Sequence, residues 1–558
     1  MSLLTDFSLD SLGGVALILL ASFAPAPLLG RWIHYLYEHK APDALERKLA
    51  PVLGWHRPQP WRLYCRELML VNVLGALVLF AMLITQRYLA LNPNHIGNMT
   101  WDLAFNTAIS FVSNTNWQAY NGEDSLSYLS QMLGLGVQNF LSAASGMAVA
   151  VAFYRGLTRH DGQMGNVLRD LYRGVVYLLL PLSALMAIVL LATGVVQNFH
   201  PTLMATTLEG AQQAIPGGPA ASQIAIKQLG TNGGGFFGVN SAYPFENPTL
   251  LSNLFESIAI LLLPAGFVFA FGRYARDARQ SLSLFIVMLV VLLAGLGALL
   301  YSEHQSVSAL AGLDVSHNAH WEGKESRFGI DLSATWAALT SAASNGSVNA
   351  MHDSLSALGG LIPLVNILLG EVIFGGVGTG MYGMLLFVLL TVFLAGLMVG
   401  RTPAYLGKTI EVREVQWTLV ALLTMPFGVL VLAAITALIT DPHTLVTNTG
   451  AHGLTEWLYA YASATGNNGS AFAGFAANTP SQNILLGIAM LLGRYIPIIA
   501  VLAIAGSLAT KAPRAGAEMD LPTHSPLFVV LLLVALVLLG ALSFLPVLAL
   551  GPVADALS

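Results

Sequence analysis

Four short stretches of this 558-residue chain hold the residue types that can surround a dehydrated monovalent cation. They are Ser113-Asn114-Thr115-Asn116-Trp117, Thr231-Asn232-Gly233-Gly234-Gly235, Ser344-Asn345-Gly346-Ser347 and Asn467-Asn468-Gly469-Ser470. An ion such as potassium enters low-dielectric surroundings only when oxygens replace its hydration shell, and backbone carbonyls do this without the tight hold of a carboxylate ring. Glycine reaches positive φ, which lets carbonyls turn into a pore without a Cβ clash. Asn and Ser are expected to add neutral oxygens. No acidic residue stands in the core of any turn, which argues against a divalent site. The candidate cation-binding residues are therefore Asn114, Thr115, Asn116, Thr231, Asn232, Gly233, Ser344, Asn345, Gly346, Asn467, Asn468 and Gly469. Taken singly, Asn-Gly is an ordinary surface turn, and Asn345 and Asn468 merely head N-x-S sequons. Recurrence favours the other reading. Aligned on Asn114, Asn232, Asn345 and Asn468, the turns lie 118, 113 and 123 residues apart, each after a weakly hydrophobic stretch.

Such turns need elements that carry them into a membrane, and the composition supplies these. Only 9% of residues are charged and 55% are hydrophobic, where a soluble domain has about 25% charged residues, so a soluble enzyme is excluded. Ten stretches are apolar enough to cross a bilayer as helices: near 12–29, 68–85, 131–154, 174–196, 249–271, 282–301, 355–399, 416–440, 481–508 and 526–548. The seventh is interrupted by Gly375-Gly376-Val377-Gly378-Thr379-Gly380, too rich in glycine for a continuous helix. The predicted fold is an all-α polytopic membrane protein with four helix–pore–helix repeats around a central pore and one extra helix at each end. The expected divisions are an N-terminal helix and loop (1–67), repeats at 68–173, 174–281, 282–415 (with a broken second helix) and 416–525, and a C-terminal helix at 526–558.

Basic residues mark the sides of a membrane. If the interrupted seventh stretch crosses once, nineteen of the 24 basic residues fall on one face, and only Arg87, Lys227, Lys324 and Arg327 fall on the other. This places both termini and all four turns outside, with the glycine break at membrane depth. The acidic start, MSLLTDFSLD, lacks the basic opening of a cleaved signal, so the first span is expected to be retained. Cys65 is the only cysteine, which rules out an internal disulfide, and a net charge of -5 offers no nucleic-acid surface.

Two charges stand out within spans. Arg494 lies mid-span, where an arginine is costly unless it faces the pore or a partner, and Glu371 immediately precedes the glycine break. We expect the two to lie together beneath the turns, with Gly376, Gly378 and Gly380, as a barrier to downhill flow. Glu256, nearer a helix end, is equally compatible with a solvated role. Several motifs are discounted. Gly233–Gly238 and Gly378–Gly383 satisfy G-x-G-x-x-G but follow no strand. Gly407-Lys408-Thr409 lacks the leading glycine of a phosphate loop, and His317 and His320 have no cysteine partners.

The stretches SNTNWQ, GTNGGGFF, HDSLSALGG, GEVIFGGVGTG, GRTPAYLGK and GNNGSAFAG, with the C-terminal GPVADALS, resemble the channel-like A subunits of bacterial Kdp potassium-importing pumps, within a superfamily of potassium transporters. By this resemblance Asn114, Thr115, Asn232, Gly233, Gly346 and Gly469 and their neighbours correspond to a selectivity filter, and Gln118 to a residue just beyond it. The third-repeat loop and Arg494 correspond to the gate. The resemblance implies a bacterial inner-membrane subunit of a high-affinity importer that transports K+ and binds no nucleotide. It also implies three partners: a P-type ATPase catalytic subunit, a single-span C subunit and a small F-type peptide. The chain carries no DKTGT phosphorylation sequence, so it is expected to be a non-catalytic subunit surrounded by membrane lipid. The alternative is an autonomous potassium channel or an ion-coupled secondary transporter, which would conduct without an ATPase.

Overall fold

The computed structural model describes residues 11–55, 57–306, 319–370, 372–514 and 521–558, and within them the regular structure is helical apart from two short hairpins. Among the described residues, ten helices are long and apolar enough to cross a membrane: Leu12–Glu38, Trp61–Tyr88, Ser130–Thr158, Val167–Ala192, Leu250–Tyr274, Ala278–Glu303, Thr379–Val399, Val412–Ile439, Pro480–Leu508 and Pro526–Leu557. The first runs further than its apolar stretch suggested and is broken before Pro25 into Ser11–Phe23 and Ala26–Glu38, because proline cannot donate to the preceding turn. Burial separates inner helices from outer ones. Within their apolar stretches, 83% of residues are buried in Ser130–Thr158 and 72% in Leu250–Tyr274, against only 28% and 22% in the first and last spans, which leave leucines for lipid.

Four further helices are too short to cross: Trp101–Val112, Ala220–Leu229, Gly329–Ala342 and Gly450–Thr465. At 10 to 16 residues they reach roughly 15 to 24 Å, short of the ~30 Å hydrocarbon core. Each stops at one of the four turns and is held between long spans; the first packs against Trp61–Thr85 and Pro480–Leu508, and the third against Ala278–Glu303. We call them pore helices 1 to 4. The seventh apolar stretch is not one continuous helix: a short helix, Ala357–Leu368, is separated by the glycine break from Thr379–Val399. Gly370, Phe374, Gly375 and Gly378 all have positive φ there, which no helix accommodates.

Two small antiparallel hairpins decorate the connections, Leu203–Thr206 with Gln212–Ile215 and Ala404–Tyr405 with Lys408–Thr409. The second accounts for the Gly-Lys-Thr motif. The Lys408 ammonium donates to the carbonyls of Gly156 (3.0 Å), Leu508 (2.7 Å) and Arg159, tying down the carboxyl ends of two long spans that would otherwise leave carbonyls unsatisfied. That side chain has no donor left for a phosphate.

Candidate ion-binding site

The four turns meet. Eleven of the twelve candidate residues are buried, and Gly469 is half-buried. Each pore helix ends in the same way, its last turn closed by an amide five residues further on: Thr115 N to Ser110 O (2.9 Å), Asn232 N to Lys227 O (2.8 Å), Asn345 N to Thr340 O (3.0 Å) and Asn468 N to Ser463 O (2.9 Å). The signs of φ repeat as well. Asn114, Thr231, Ser344 and Asn467 lie at +50° to +67°, and two residues on Asn116, Gly233, Gly346 and Gly469 are again positive, at +52°, +87°, +87° and +97°.

This corrects the sequence alignment in one repeat. Asn114 is not the counterpart of Asn232, Asn345 and Asn468; Thr115 is, and Asn114 stands opposite Thr231, Ser344 and Asn467. The glycine position of the first turn is held by Asn116. Asparagine tolerates a left-handed conformation better than other L residues, so the backbone repeats although the side chain does not.

The ring closes through contacts between successive turns. A Cβ built on Gly233 would fall on the Asn345 carbonyl oxygen, one on Gly346 on that of Asn468, and one on Gly469 on that of Thr115. Between the first and second turns, Asn116 Nδ2 donates to Gly234 O at 2.8 Å and Asn114 Nδ2 to Thr231 O at 2.9 Å. Gln118 adds a two-way clasp on Gly235, donating to its carbonyl (2.8 Å) and accepting from its amide (3.0 Å).

The amide nitrogens and hydroxyls of the turns bond sideways. Asn232 Nδ2 reaches Asn114 Oδ1 at 2.5 Å, Asn345 Nδ2 reaches Lys227 O at 3.2 Å, Ser344 Oγ reaches Asn467 O at 3.2 Å, Asn467 Nδ2 reaches Thr115 Oγ1 at 3.0 Å and Asn468 Nδ2 reaches Thr340 O at 3.1 Å. Asn116 Oδ1 and Asn232 Oδ1 have no partner among the described residues, and the main chain offers further oxygens without donors. Among the described residues, the carbonyls of Thr115, Asn232, Asn345 and Asn468 accept no hydrogen bond, and neither do those of Asn116, Gly233, Gly346 and Gly469. Buried carbonyls without donors are rare in folded proteins. Two tiers of four, on turns pressed together in cyclic order, form a set of neutral oxygens suited to a bare monovalent cation.

Against this ring runs the glycine break. Gly375 N donates to Ala342 O at the end of pore helix 3 (3.2 Å), and Val377 N donates to Thr231 Oγ1 in the second turn (3.0 Å). Gly378, at φ +81°, is pressed on the Gly146 carbonyl, 2.5 Å from where a Cβ would stand; a Cβ on Gly380 would fall on the Phe374 carbonyl, whereas Gly376 has nothing nearer than 3.4 Å. Arg494 is buried, and its guanidinium joins three elements by donating to Thr379 Oγ1 (3.0 Å) just past the break and to Ser142 O (3.0 Å) on the span Ser130–Thr158. Among the described residues it forms no ion pair, and Glu371, its expected neighbour, lies outside them, as does His317. A cavity of about 100 Å³ touches Arg494, Thr379, Gly370, Thr465 and Asn467, so it adjoins the fourth turn on the side of the break.

A family model for the potassium-transporting ATPase A subunit matches residues 16–557. A potassium-transporting ATPase potassium-binding subunit from Pseudomonas aeruginosa is 56% identical over 97% of this chain and 98% of its own length. One of the same description from Rhodospirillum centenum is 53% identical over 96% of this chain and 95% of its own. Among solved structures, the potassium transporter TrkH from Vibrio parahaemolyticus shares the fold, with a TM-score of 0.53 at 15% identity, over 87% of this chain and 96% of that one.

Proposed function

Because the chain belongs to the potassium-transporting ATPase A subunit family, we propose that the ring of turns is the potassium filter of a high-affinity, ATP-driven importer, and that ions leaving it pass to a separate P-type ATPase subunit. As a member of that family the chain is a potassium-transport component, a transport subunit rather than the catalytic ATPase. The observation that carries the filter assignment is the double tier of carbonyls without donors, on turns that touch in cyclic order. Carbonyl dipoles around a hole of fixed size favour an ion that matches them and whose dehydration they can offset.

In this reading the repeats at 68–173, 174–281, 282–415 and 416–525 contribute one turn each. The turns open to the outside, and both termini lie on that side of the inner membrane. Two of the four basic residues assigned to the outer face support this orientation by leaving the count, since Lys227 and Lys324 are fully buried in ion pairs with Glu246 and Glu303. The break around Gly376, Gly378 and Gly380, pinned by Arg494, is the gate; a fixed positive charge below a cation filter opposes passage. The single-span C subunit and the small peptide complete the complex.

The test is ATP hydrolysis by the complex co-purified with its partner subunits, titrated with potassium and with rubidium. The proposal expects hydrolysis to be driven by potassium and less well by rubidium, and expects the chain alone in liposomes to pass little of either. Steady conduction by the isolated chain would instead identify an autonomous channel.

A further inference from the structure

Five residues before the crest of each turn stands the residue whose carbonyl closes the pore helix: Ser110, Lys227, Thr340 and Ser463. Three of the four are hydroxyls, and each bonds to its own turn: Ser110 Oγ to Trp117 O (2.9 Å), Thr340 Oγ1 to Asn345 Oδ1 (3.3 Å) and Ser463 Oγ to Gly469 N (2.9 Å). The second repeat places a lysine there. Its ammonium pairs with Glu246, and both side chains are fully buried. Ser241 Oγ lies 2.8 Å from Glu246 Oε1 and 3.1 Å from Glu256 Oε2, and Gln228 Nε2 donates to that same Glu256 oxygen at 2.8 Å. Glu256 is fully buried, so the solvated role open to it in the sequence is excluded.

The cluster reaches the third turn at two points. Gln228 Oε1 accepts from Ser347 Oγ at 3.2 Å, and the Lys227 carbonyl accepts from Asn345 Nδ2 at 3.2 Å. These two contacts flank the place where Gly233 presses on the Asn345 carbonyl. The ammonium pairs with Glu246 alone, Glu256 is held only by Gln228 and Ser241, and Glu246 Oε2 and Glu256 Oε1 have no hydrogen-bond partner among the described residues. Buried ion pairs add little net stability compared with apolar packing of the same volume, and their best-attested use is to fix one arrangement among near alternatives. Here the near alternatives are small shifts of the second turn against the third.

We propose that Lys227, Gln228, Glu246 and Glu256 are positioning residues that lock the second and third turns in register and thereby set ion specificity. The inference rests on the filter reading above. Its test uses the co-purified complex and measures the KM for potassium, the potassium-to-rubidium preference, the maximal rate of ATP hydrolysis and the thermal midpoint. Gln228→Leu cuts the bridge to Ser347 and the bond to the Glu256 carboxyl while leaving the number of charged groups in the cluster unchanged. Lys227→Met strands the Glu246 carboxylate, and Lys227→Met combined with Glu246→Met removes the pair together. Losing a buried hydrogen bond to a charged group is worth about tenfold or more in affinity. Gln228→Leu and the double variant are expected to raise KM about that much and to narrow the preference for potassium, with the maximal rate within about twofold. The double variant should recover the thermal midpoint lost in Lys227→Met but not the specificity, which separates positioning from mere support of the fold. Wild-type KM and preference in both Gln228→Leu and the double variant overturn the inference, and those two carry the test if Lys227→Met fails to assemble. Gly233→Ala, measured in parallel, tells the two levels apart. If it too leaves KM and preference unchanged, the filter reading itself falls; if it alters them and the others do not, only the positioning role falls.

Discussion

Replacing Gly233 by alanine adds one carbon, and the structure says where it must go. At φ +87° an L residue sits in the left-handed region, at a cost of about 1–2 kcal/mol. The new Cβ would meet main chain only: the Asn345 carbonyl, its carbon at 2.5 Å, and the Ser347 amide at 2.6 Å. No flexible side chain can swing away. Carbon contacts are comfortable only from about 3.5 Å, so the second and third turns must part by on the order of 1 Å. In the proposed filter the Asn345 carbonyl is one of four oxygens in its tier, and a shift of that size would remove most of its contribution to a bound ion. Adding backbone strain, about 1.5–3 kcal/mol of binding is lost, roughly a ten- to hundredfold rise in the potassium KM. Gly54→Ala is the control, since Gly54 also has positive φ (+66°) but nothing within 4 Å of its Cβ position. It should lower the thermal midpoint and leave the KM alone. The assay is potassium- and rubidium-stimulated ATP hydrolysis by the purified complex. A fully assembled Gly233→Ala complex with unchanged KM and unchanged ion preference would refute the claim that these turns hold the ion.

Four other substitutions probe the remaining parts. Arg494→Ala should release both Thr379 and the Ser142 carbonyl and remove a fixed positive charge, so rubidium flux through the complex without ATP should rise severalfold; flux at the wild-type level would dissociate Arg494 from the barrier. In the break itself, Gly378→Ala should impair transport strongly, because φ is +81° and the Gly146 carbonyl blocks the Cβ, whereas Gly376→Ala, with 3.4 Å of clearance, should be nearly silent; equal effects would show that the loop rearranges freely. His452 bridges Asp353 (3.0 Å) and Asp555 (2.9 Å), and these partners, Asp353 foremost, raise its imidazole from the ordinary 6.5 to about 9 despite burial. A group raised on folding stabilises fully below its unfolded value and loses that contribution as pH climbs through the folded one. The thermal midpoint should therefore fall between pH 6.5 and 9, and less so in His452→Gln; parallel curves for the two proteins would exclude the bridge as the cause.

The membrane fold was largely legible in the sequence because it is written in long-range composition: ten apolar runs, one glycine break and a polar turn repeated at nearly constant spacing. The details of the site are set by backbone torsion, which residue identity reports only in part. Asparagine occurs on both sides of Thr115, so matching by identity pairs Asn114 with the wrong residues. The useful signal was the polar residue five positions earlier, Ser110, Thr340 or Ser463, whose carbonyl fixes where each pore helix stops. Lys227 escaped for a related reason. A lysine in a loop-like stretch on the outer face reads as a topology marker, and only coordinates reveal a carboxylate nineteen residues later meeting it in the interior.

In the proposed filter, the sideways bonding of the asparagine amide nitrogens gives these residues a bracing role between repeats. An amide side chain pointing into the hole would bring a flexible dipole able to re-aim for ions of different size, and discrimination would suffer. Turned instead into the neighbouring turn, it makes each carbonyl's position depend on the next repeat, as Asn345 does through Lys227 O and Asn468 through Thr340 O. In this proposal the size of the ring is held by mutual constraints between repeats rather than by any one loop. The first turn is where that symmetry is weakest, because Asn116 brings a side chain to a position where the others have none and needs Asn139 Oδ1, at 2.8 Å, to anchor it. Asn116→Gly should make that turn resemble the other three in backbone freedom while cutting its bond to Gly234. If mutual bracing sets selectivity, the variant will discriminate potassium from rubidium less well even though glycine suits the local torsion better; improved or unchanged discrimination would mean that torsion alone governs the ring.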